Sequence, residues 1–225
     1  SNWKSLNGQR ADLVRRVAID ASSIGSVGGI RYMSSICPAL AEASPGTTYY
    51  LFNRASQLSR LPPLPDNFHW VEIPEATKSR PFRFLWLQAV LPRIVKRLQV
   101  DVLLAISDVS TLRPPCPMVL MVHNFNPFSP LRGQIWNRGQ LIRMGLQREL
   151  VRRCAQRADE VVFVSEWSRQ AMSPALGISL EKSTVIHHGV DDAFRQASIN
   201  GEAPKSVALE GSGTKVGRRF ILVVS

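Results

Sequence analysis

The sequence predicts an α/β domain built on a Rossmann-like parallel sheet with helices on both faces. Three observations predict it. Short continuous apolar runs alternate with segments of helical spacing, the pattern of strands buried on both sides of a parallel sheet. Polar residues recur at the carboxyl ends of those runs, where open parallel sheets bind their ligands. Hydrophobic residues make up 44% of the 225, enough for a sizeable core and too many for disorder.

The first run, "VRRVAIDAS", reads as a strand ending at Asp20. "IGSVGG" reads as a glycine-rich turn, and "IRYMSSICPALAEA" as a helix that Pro38 should kink or split. "TTYYLF" and "HWVEI" follow as strands, separated by the proline-rich loop "RLPPLPDN". "FRFLWLQAVLPRIVKRL" places Phe84, Leu87, Leu91, Ile94, Val95 and Leu98 on a helical stripe with basic residues beside it. Pro92 marks a second expected kink. "DVLLAI" and "PMVLMVH" are further strands, and "GQIWNRGQLIRMGLQRELVRRCAQR" is a long helix. "EVVFVS" is a strand, "EWSRQAMSPAL" a short helix, and "STVIHHGV" a last strand running into a turn.

From about Asp192 to Gly217 the composition turns polar and rich in Gly and Ser, as in a linker. "GRRFILVVS" then reads as a buried-type strand left without its sheet. The expected organisation is an N-terminal extension (1–13), a Rossmann-like domain (14–191), a linker (192–217) and the first strand of a second domain (218–225). A first residue that is not Met and an ending on a strand read as a piece of a longer chain. No internal repeat is visible.

A formal net charge of +11 admits three partner classes: nucleic acid, an anionic membrane surface, or phosphate-bearing small molecules. The arginines cluster in "RPFRFLWLQAVLPRIVKRLQ" and "LRGQIWNRGQLIRMGLQRELVRRCAQR". Neither stretch carries the signature of an RNA-recognition module, a zinc finger or a coiled coil, so no nucleic acid is expected. Cys37, Cys116 and Cys154 lie far apart without a C-x-x-C, which fits buried thiols in a reduced compartment. No run approaches the ~18 apolar residues of a membrane span, and no signal peptide leads the chain. The expectation is a cytoplasmic protein, with the inner membrane face as a candidate peripheral partner.

At the predicted strand ends stand Asp20 with the glycine turn, Ser107–Asp108, His123–Asn124, Ser165–Glu166 and His187–His188–Gly189. In "GSVGG", glycines permit positive φ and let a ligand approach the backbone. The helix start behind them favours a phosphate; an ordinary βα turn is the competing reading. The spacing Gly25, Gly28, Gly29 is not G-x-G-x-x-G, and the acidic residue expected ~20 positions on is Tyr49, which excludes the dinucleotide reading.

His123 is placed to accept a proton or to orient a hydroxyl, unless backbone partners satisfy it. Capping of the following helix explains Ser165 and Glu166. Arg169, one turn in, is placed to reach the cleft. The absence of G-x-S-x-G excludes a nucleophile elbow. In "VIHHGVDDAF" adjacent histidines at a strand end point apart and no further ligand follows at metal spacing, so no metal is expected. Gly189 reads as a tight turn carrying the chain out of the domain.

"IDASSIGSVGGIRY", "VHNFNPF", "ADEVVFVSEWSRQ" and "EKSTVIHHGVDDAF", in that order and spacing, resemble the N-terminal half of retaining nucleotide-sugar glycosyltransferases of the GT-B type. The nearest likeness is to the large family that includes bacterial mannosyl- and glucosyltransferases of polysaccharide synthesis. The likeness covers about residues 15 to 195 and resumes at "RRFILVVS".

It implies two Rossmann-like domains facing a cleft, the first mainly holding the acceptor and the second the donor. The implied reaction is metal-independent, retaining hexosyl transfer from a UDP- or GDP-sugar to a glycan or lipid-linked acceptor, with no cofactor beyond the substrate. By resemblance, Gly28 and Gly29 line the donor phosphates, His123 contacts the transferred sugar or the developing oxyanion, and Ser165 and Arg169 lie near the cleft. His187, Gly189 and Asp191 form the turn between the domains.

Two departures stand out. Asn124 replaces an Asp the family commonly has, removing a carboxylate there, and His188 replaces the family's Asn. The family's second-domain glutamates and basic residues have no counterpart in these 225 residues, so the chain alone is expected to have negligible transferase activity. The competing reading is a non-catalytic basic module that binds nucleic acid or an anionic membrane.

Overall fold

The seven strands expected of the Rossmann-like domain form, and they join one sheet. They are β1 (Arg16–Asp20), β2 (Thr48–Asn53), β3 (Phe68–Glu72), β4 (Val102–Ala105), β5 (Met118–Val122), β6 (Glu160–Phe163) and β7 (Ser183–Val185). The computed structural model describes residues 16–128 and 137–189. Every pairing is parallel, in the order β3-β2-β1-β4-β5-β6-β7. From β1 the chain first steps outward to β2 and β3, then crosses to β4 and steps the other way. The direction reverses between β1 and β4, the position at which doubly wound sheets open a crevice at their carboxyl edge. Register there is set by Ile19, which lies opposite Leu51 on one side and Leu104 on the other.

The helices are α1 (Val27–Ala43), α2 (Ala55–Leu58), α3 (Arg80–Ala89), α4 (Leu91–Arg97), α5 (Arg138–Arg157) and α6 (Glu166–Leu176). Alternate residues of each strand serve opposite faces of the sheet. Ala18, Phe52, Leu103, Leu120 and Phe163 pack with Trp86, Leu91, Val95, Val151, Cys154 and Met172 of α3 to α6. Ile19, Leu51, Met121 and Val162 pack with Met33 and Cys37 of α1 and with Leu61 and Leu64 of the proline-rich loop. Right-handed crossovers demand this division: the step from β1 to β2 runs one way across the sheet and those from β5 to β7 the other.

The prolines behave differently from each other. Pro38 was expected to kink or split its helix, but α1 runs unbroken to Ala43. Met33 and Cys37 dock on the sheet before the proline and Leu40 and Ala41 at and after the next turn, so packing carries the helix across the lost hydrogen bond. Pro92 does mark a break. α3 stops at Ala89, and α4 restarts at Leu91 with the proline in its first turn, where the missing N–H costs nothing. Leu87 and Leu91 are buried on either side of the break.

Gly28 and Gly29 sit inside the first turn of α1 rather than in the turn before it, and neither has a positive φ. Among the described glycines that conformation belongs to Gly177, the C-cap of α6, with φ +67°. The expected N-terminal extension (1–13), Asp191, the linker (192–217) and the strand at 218–225 lie outside the described residues.

Two substitutions test this packing in urea unfolding. Leu103→Ala, at a fully buried central-strand position, should cost about 2–5 kcal/mol. Gly177→Ala should cost about 1–2 kcal/mol for the left-handed backbone, and its new methyl would meet Gln156 Nε2 at 2.9 Å.

Candidate functional site

The carboxyl end of β1 carries Asp20, wholly buried. Its Oδ1 accepts the Ser22 N–H at 3.1 Å and its Oδ2 the Ser110 hydroxyl at 2.7 Å. Burial pushes this carboxyl above its ordinary range, against the pull of those bonds and of the nearby Arg83 guanidinium.

The loop from Asp20 to α1 is held from the neighbouring strand. Arg54 directly follows β2 and is only 4% exposed. Its Nη1 donates to the Ser22 carbonyl at 2.6 Å and its Nη2 to the Ile24 carbonyl at 3.1 Å. Arg60 Nη1 donates to the Gly25 carbonyl at 3.0 Å. Three carbonyls of the loop, those of Ser22, Ile24 and Gly25, are thus held by two arginines 30 to 35 residues away in sequence.

The loop ends at Ser26, whose extended backbone and side chain cap α1: its Oγ accepts the Gly29 N–H at 3.1 Å. A Cβ at Gly29 would press on the Ile24 side chain at 3.2 Å and on Ser26 Oγ at 3.3 Å, so glycine lets the loop lie close against its helix. Gly28 faces open space and is exposed, leaving its backbone accessible.

His123 stands immediately past β5. Its backbone N–H donates to Asp108 Oδ1 at 2.7 Å, and the Asn124 N–H donates to the same oxygen at 3.1 Å. Asp108, at the end of β4, therefore sets the course of the chain as it leaves β5. The exposed His123 ring meets Tyr32 of α1 edge to face, with centroids 6.0 Å apart. The Tyr32 hydroxyl donates to Met121 Sδ at 3.3 Å, and burial pushes this phenol up to about 12, so it stays protonated at neutral pH. Tyr32 thus links α1 to the chain as it leaves β5.

Ser165 and Arg169 stand at the start of α6. Ser165 caps α6 in a reciprocal capping box with Ser168. Arg169 donates from Nε to Ser183 Oγ at 3.0 Å, from Nη2 to the Leu180 carbonyl at 2.8 Å and from Nη1 to Glu166 at 3.2 Å. Two of the three guanidinium nitrogens tie α6 to the entry of β7, and the third pairs with Glu166 on α6 itself. His187 Nδ1 lies 3.2 Å from the Val164 carbonyl, and His188 and Gly189 are exposed. Among the described residues no group of three or more His, Cys, Asp or Glu side chains could hold a metal ion. A shallow cleft between α1 and residues 61–65 is lined by none of these strand-end residues.

Sequence reasoning missed Arg54, Arg60, Tyr32 and Asp108's bracing role. The signal for Arg54 was present: "LFNR" puts a cation at the carboxyl end of a strand, as Asp20 and His123 are placed. Tyr32 carried no such signal, since one aromatic on an amphipathic helix reads as core.

The family model for Glycosyltransferase Family 4 matches residues 28–194. No curated protein matches the chain in sequence. Among solved structures, a UDP-N-acetylglucosamine 2-epimerase from Rickettsia bellii aligns with a TM-score of 0.52 at 12% identity, over 83% of this chain and 48% of its own. A glycosyltransferase from Rickettsia africae ESF-5 aligns at 0.47 and 16% identity, over 86% and 51%. Anabaena Alr3699/HepE, in complex with UDP and glucose, aligns at 0.44 and 16%, over 84% and 50%. The chain spans about half the length of each. The epimerase alignment shows a shared fold and nothing of chemistry.

Asp20 gives the site a pH signature. Its folded-state carboxyl is raised, so its contribution to stability is complete at low pH and is lost as pH rises through the raised value. Asp20→Asn, which keeps an acceptor for Ser22 and has a partner in Ser110, should flatten that fall. Urea unfolding across the acid-to-neutral range should show the variant gaining on the parent as pH increases; parallel curves would contradict the assignment.

Proposed function

The chain belongs to Glycosyltransferase Family 4, whose model matches most of it, and from that membership we propose that it is the acceptor-side half of a sugar-nucleotide-dependent hexosyltransferase. The donor is a UDP- or GDP-hexose, the acceptor a glycan or lipid-linked glycan, and transfer is retaining and independent of metal. A donor-binding domain faces the carboxyl edge of the sheet and completes the cleft, joined through the turn at His187, Gly189 and Asp191. The observation that carries this reading is the contact of Tyr32 of α1 with the His123 ring at the carboxyl edge of a sheet whose direction reverses between β1 and β4.

Each residue has a task in that cleft. The Gly29 N–H is occupied by Ser26, so Gly28 and the exposed helix start offer the free backbone donors and the positive end of the helix dipole to the donor diphosphate. Gly29 supports this through the close folding of the loop. His123 reaches the transferred sugar or the charge developing on the leaving oxygen, its backbone held by Asp108. Ser165 and Arg169 serve the cleft by fixing α6 and β7. With Asn124 in place of a carboxylate, the turn after His123 supplies hydrogen bonds and no base.

The acceptor side also presents a surface suited to anionic lipid at the cytoplasmic face of a membrane. No described helix is long and apolar enough to cross one. Yet α3 exposes Phe82, Leu85 and Val90 at its outer side, flanked by exposed Lys78, Arg80, Arg93, Lys96 and Arg97.

Two measurements test these proposals. In the full-length protein, assayed with UDP- and GDP-hexoses and a lipid-linked acceptor, His123→Ala should lower kcat about 10²–10³-fold with folding intact; unchanged kcat would remove His123 from the transfer point. In vesicle sedimentation the chain should bind anionic phospholipid in preference to phosphatidylcholine, and replacing Phe82 and Leu85 by Ser should release it. Equal binding to both vesicles, or none, would contradict the membrane surface.

A further inference from the structure

We propose that Trp167, braced by Phe125, is the platform on which a pyranose ring of the acceptor stacks, one strand beyond His123. This rests on the acceptor-side reading above and names the part of the acceptor that side holds.

The first observation is an aromatic ring held at the ligand edge without being buried. Trp167 is the second residue of α6, just past the carboxyl end of β6. It is 63% exposed. Burying an indole is among the larger gains open to a fold, yet this one faces solvent at the edge where open parallel sheets bind their ligands. The ring is not loose. It meets Phe125 edge to face, with centroids 4.8 Å apart and planes inclined at 61°. Phe125 is half-buried and packs against the core on the α3 to α6 face of the sheet. Its carbonyl accepts the Phe128 N–H at 2.8 Å, which closes the turn that carries it. The contact with Phe125 steadies the indole and leaves most of its surface open to a ligand.

The second observation is what surrounds the ring. Among the residues of α6, all of them described, Trp167 is the one large apolar side chain left exposed. Beside it stand exposed Glu166 and, one turn on, exposed Gln170, whose Nε2 donates to Glu166 Oε1 at 3.0 Å. A protein or lipid partner calls for several apolar side chains together, as α3 presents with Phe82 and Leu85. A single aromatic ring among hydrogen-bonding groups fits a sugar instead. A pyranose offers C–H groups on one face, which lie on a π surface, and hydroxyls around its rim, which need donors and acceptors. Glu166 keeps acceptor sites beyond those used by Gln170 and Arg169, and the indole N–H adds a donor.

The third observation is position. β5 and β6 are neighbours in the sheet, with Val122 opposite Phe163. His123 follows the first strand and Trp167 the second, and Phe125, two residues past His123, joins them. Along the carboxyl edge, the start of α1, His123 and Trp167 therefore follow the strand order β1, β5, β6. On the reading above, these are donor phosphate, transfer point and acceptor sugar.

Saturation-transfer NMR on the full-length protein tests this, with mannobiose, maltose and lactose as acceptor probes and UDP and GDP as donor probes. At least one disaccharide should bind, with transfer strongest at the C–H protons of one ring face. Trp167→Ala should weaken that binding about tenfold, the scale of a lost aromatic contact, and leave nucleotide binding and the melting temperature unchanged. Trp167→Tyr, which keeps a stacking surface, should restore most of it. Ile142→Ala, at an exposed apolar position on α5, should leave it unchanged. No disaccharide binding by the parent, no loss in Trp167→Ala, no recovery in Trp167→Tyr or an equal loss in Ile142→Ala would overturn the proposal. So would a marked fall in melting temperature in Trp167→Ala, which would mean that the ring packs against another part of the protein. The two readings fail separately. A parent that binds a disaccharide and neither nucleotide keeps this platform without the donor cleft; one that binds a nucleotide alone keeps the donor cleft without the platform.

Discussion

The candidate site depends on the grip of Arg54 on the loop between β1 and α1. The loop leaves the sheet at its point of reversal and must deliver a helix start to a fixed place in the crevice. Loop backbone at a sheet edge has few partners of its own. Arg54 supplies them from the next strand, holding Ser22 and Ile24, and Arg60 adds Gly25. Ser26 then caps the helix, Gly29 lets the loop lie against it, and Tyr32 of the same helix meets the His123 ring. Each step takes its position from the one before. A rigid mount of this kind is what a helix N-terminus needs to meet an anion with preorganised donors.

Most of the fold was legible because the physics that specifies it is local. Strands of a parallel sheet buried on both faces announce themselves as apolar runs, and "VAID", "LLA" and "VVF" do so without ambiguity. The break at Pro92 was legible for the same reason. Pro38 does not split its helix, because whether a proline interrupts a helix depends on what docks on either side of it. The glycines were misplaced by a few residues, since Ser26 and not Gly29 decides where α1 begins.

The site was legible only at its strand ends. His123 and Gly28 stood out by position, and Ser165 by capping chemistry, with the structure adding what each touches. Arg169 read as a residue reaching outward; its guanidinium is turned instead to Ser183 and Leu180, contacts set by the path of the chain into β7. The bracing by Arg54 is a contact across thirty-two residues between a side chain and a carbonyl. No spacing in the sequence encodes it.

We propose that a donor diphosphate meets the start of α1 while its sugar meets His123. A crystal structure of the full-length protein with an intact, non-hydrolysable sugar nucleotide tests this. The expected result is a diphosphate oxygen within hydrogen-bond distance of the Gly28 N–H and the hexose against the His123 ring, with Arg54 still on Ser22 and Ile24. A donor bound away from the carboxyl edge, or held by Ser165 and Arg169 with Gly28 and His123 left in solvent, would contradict it.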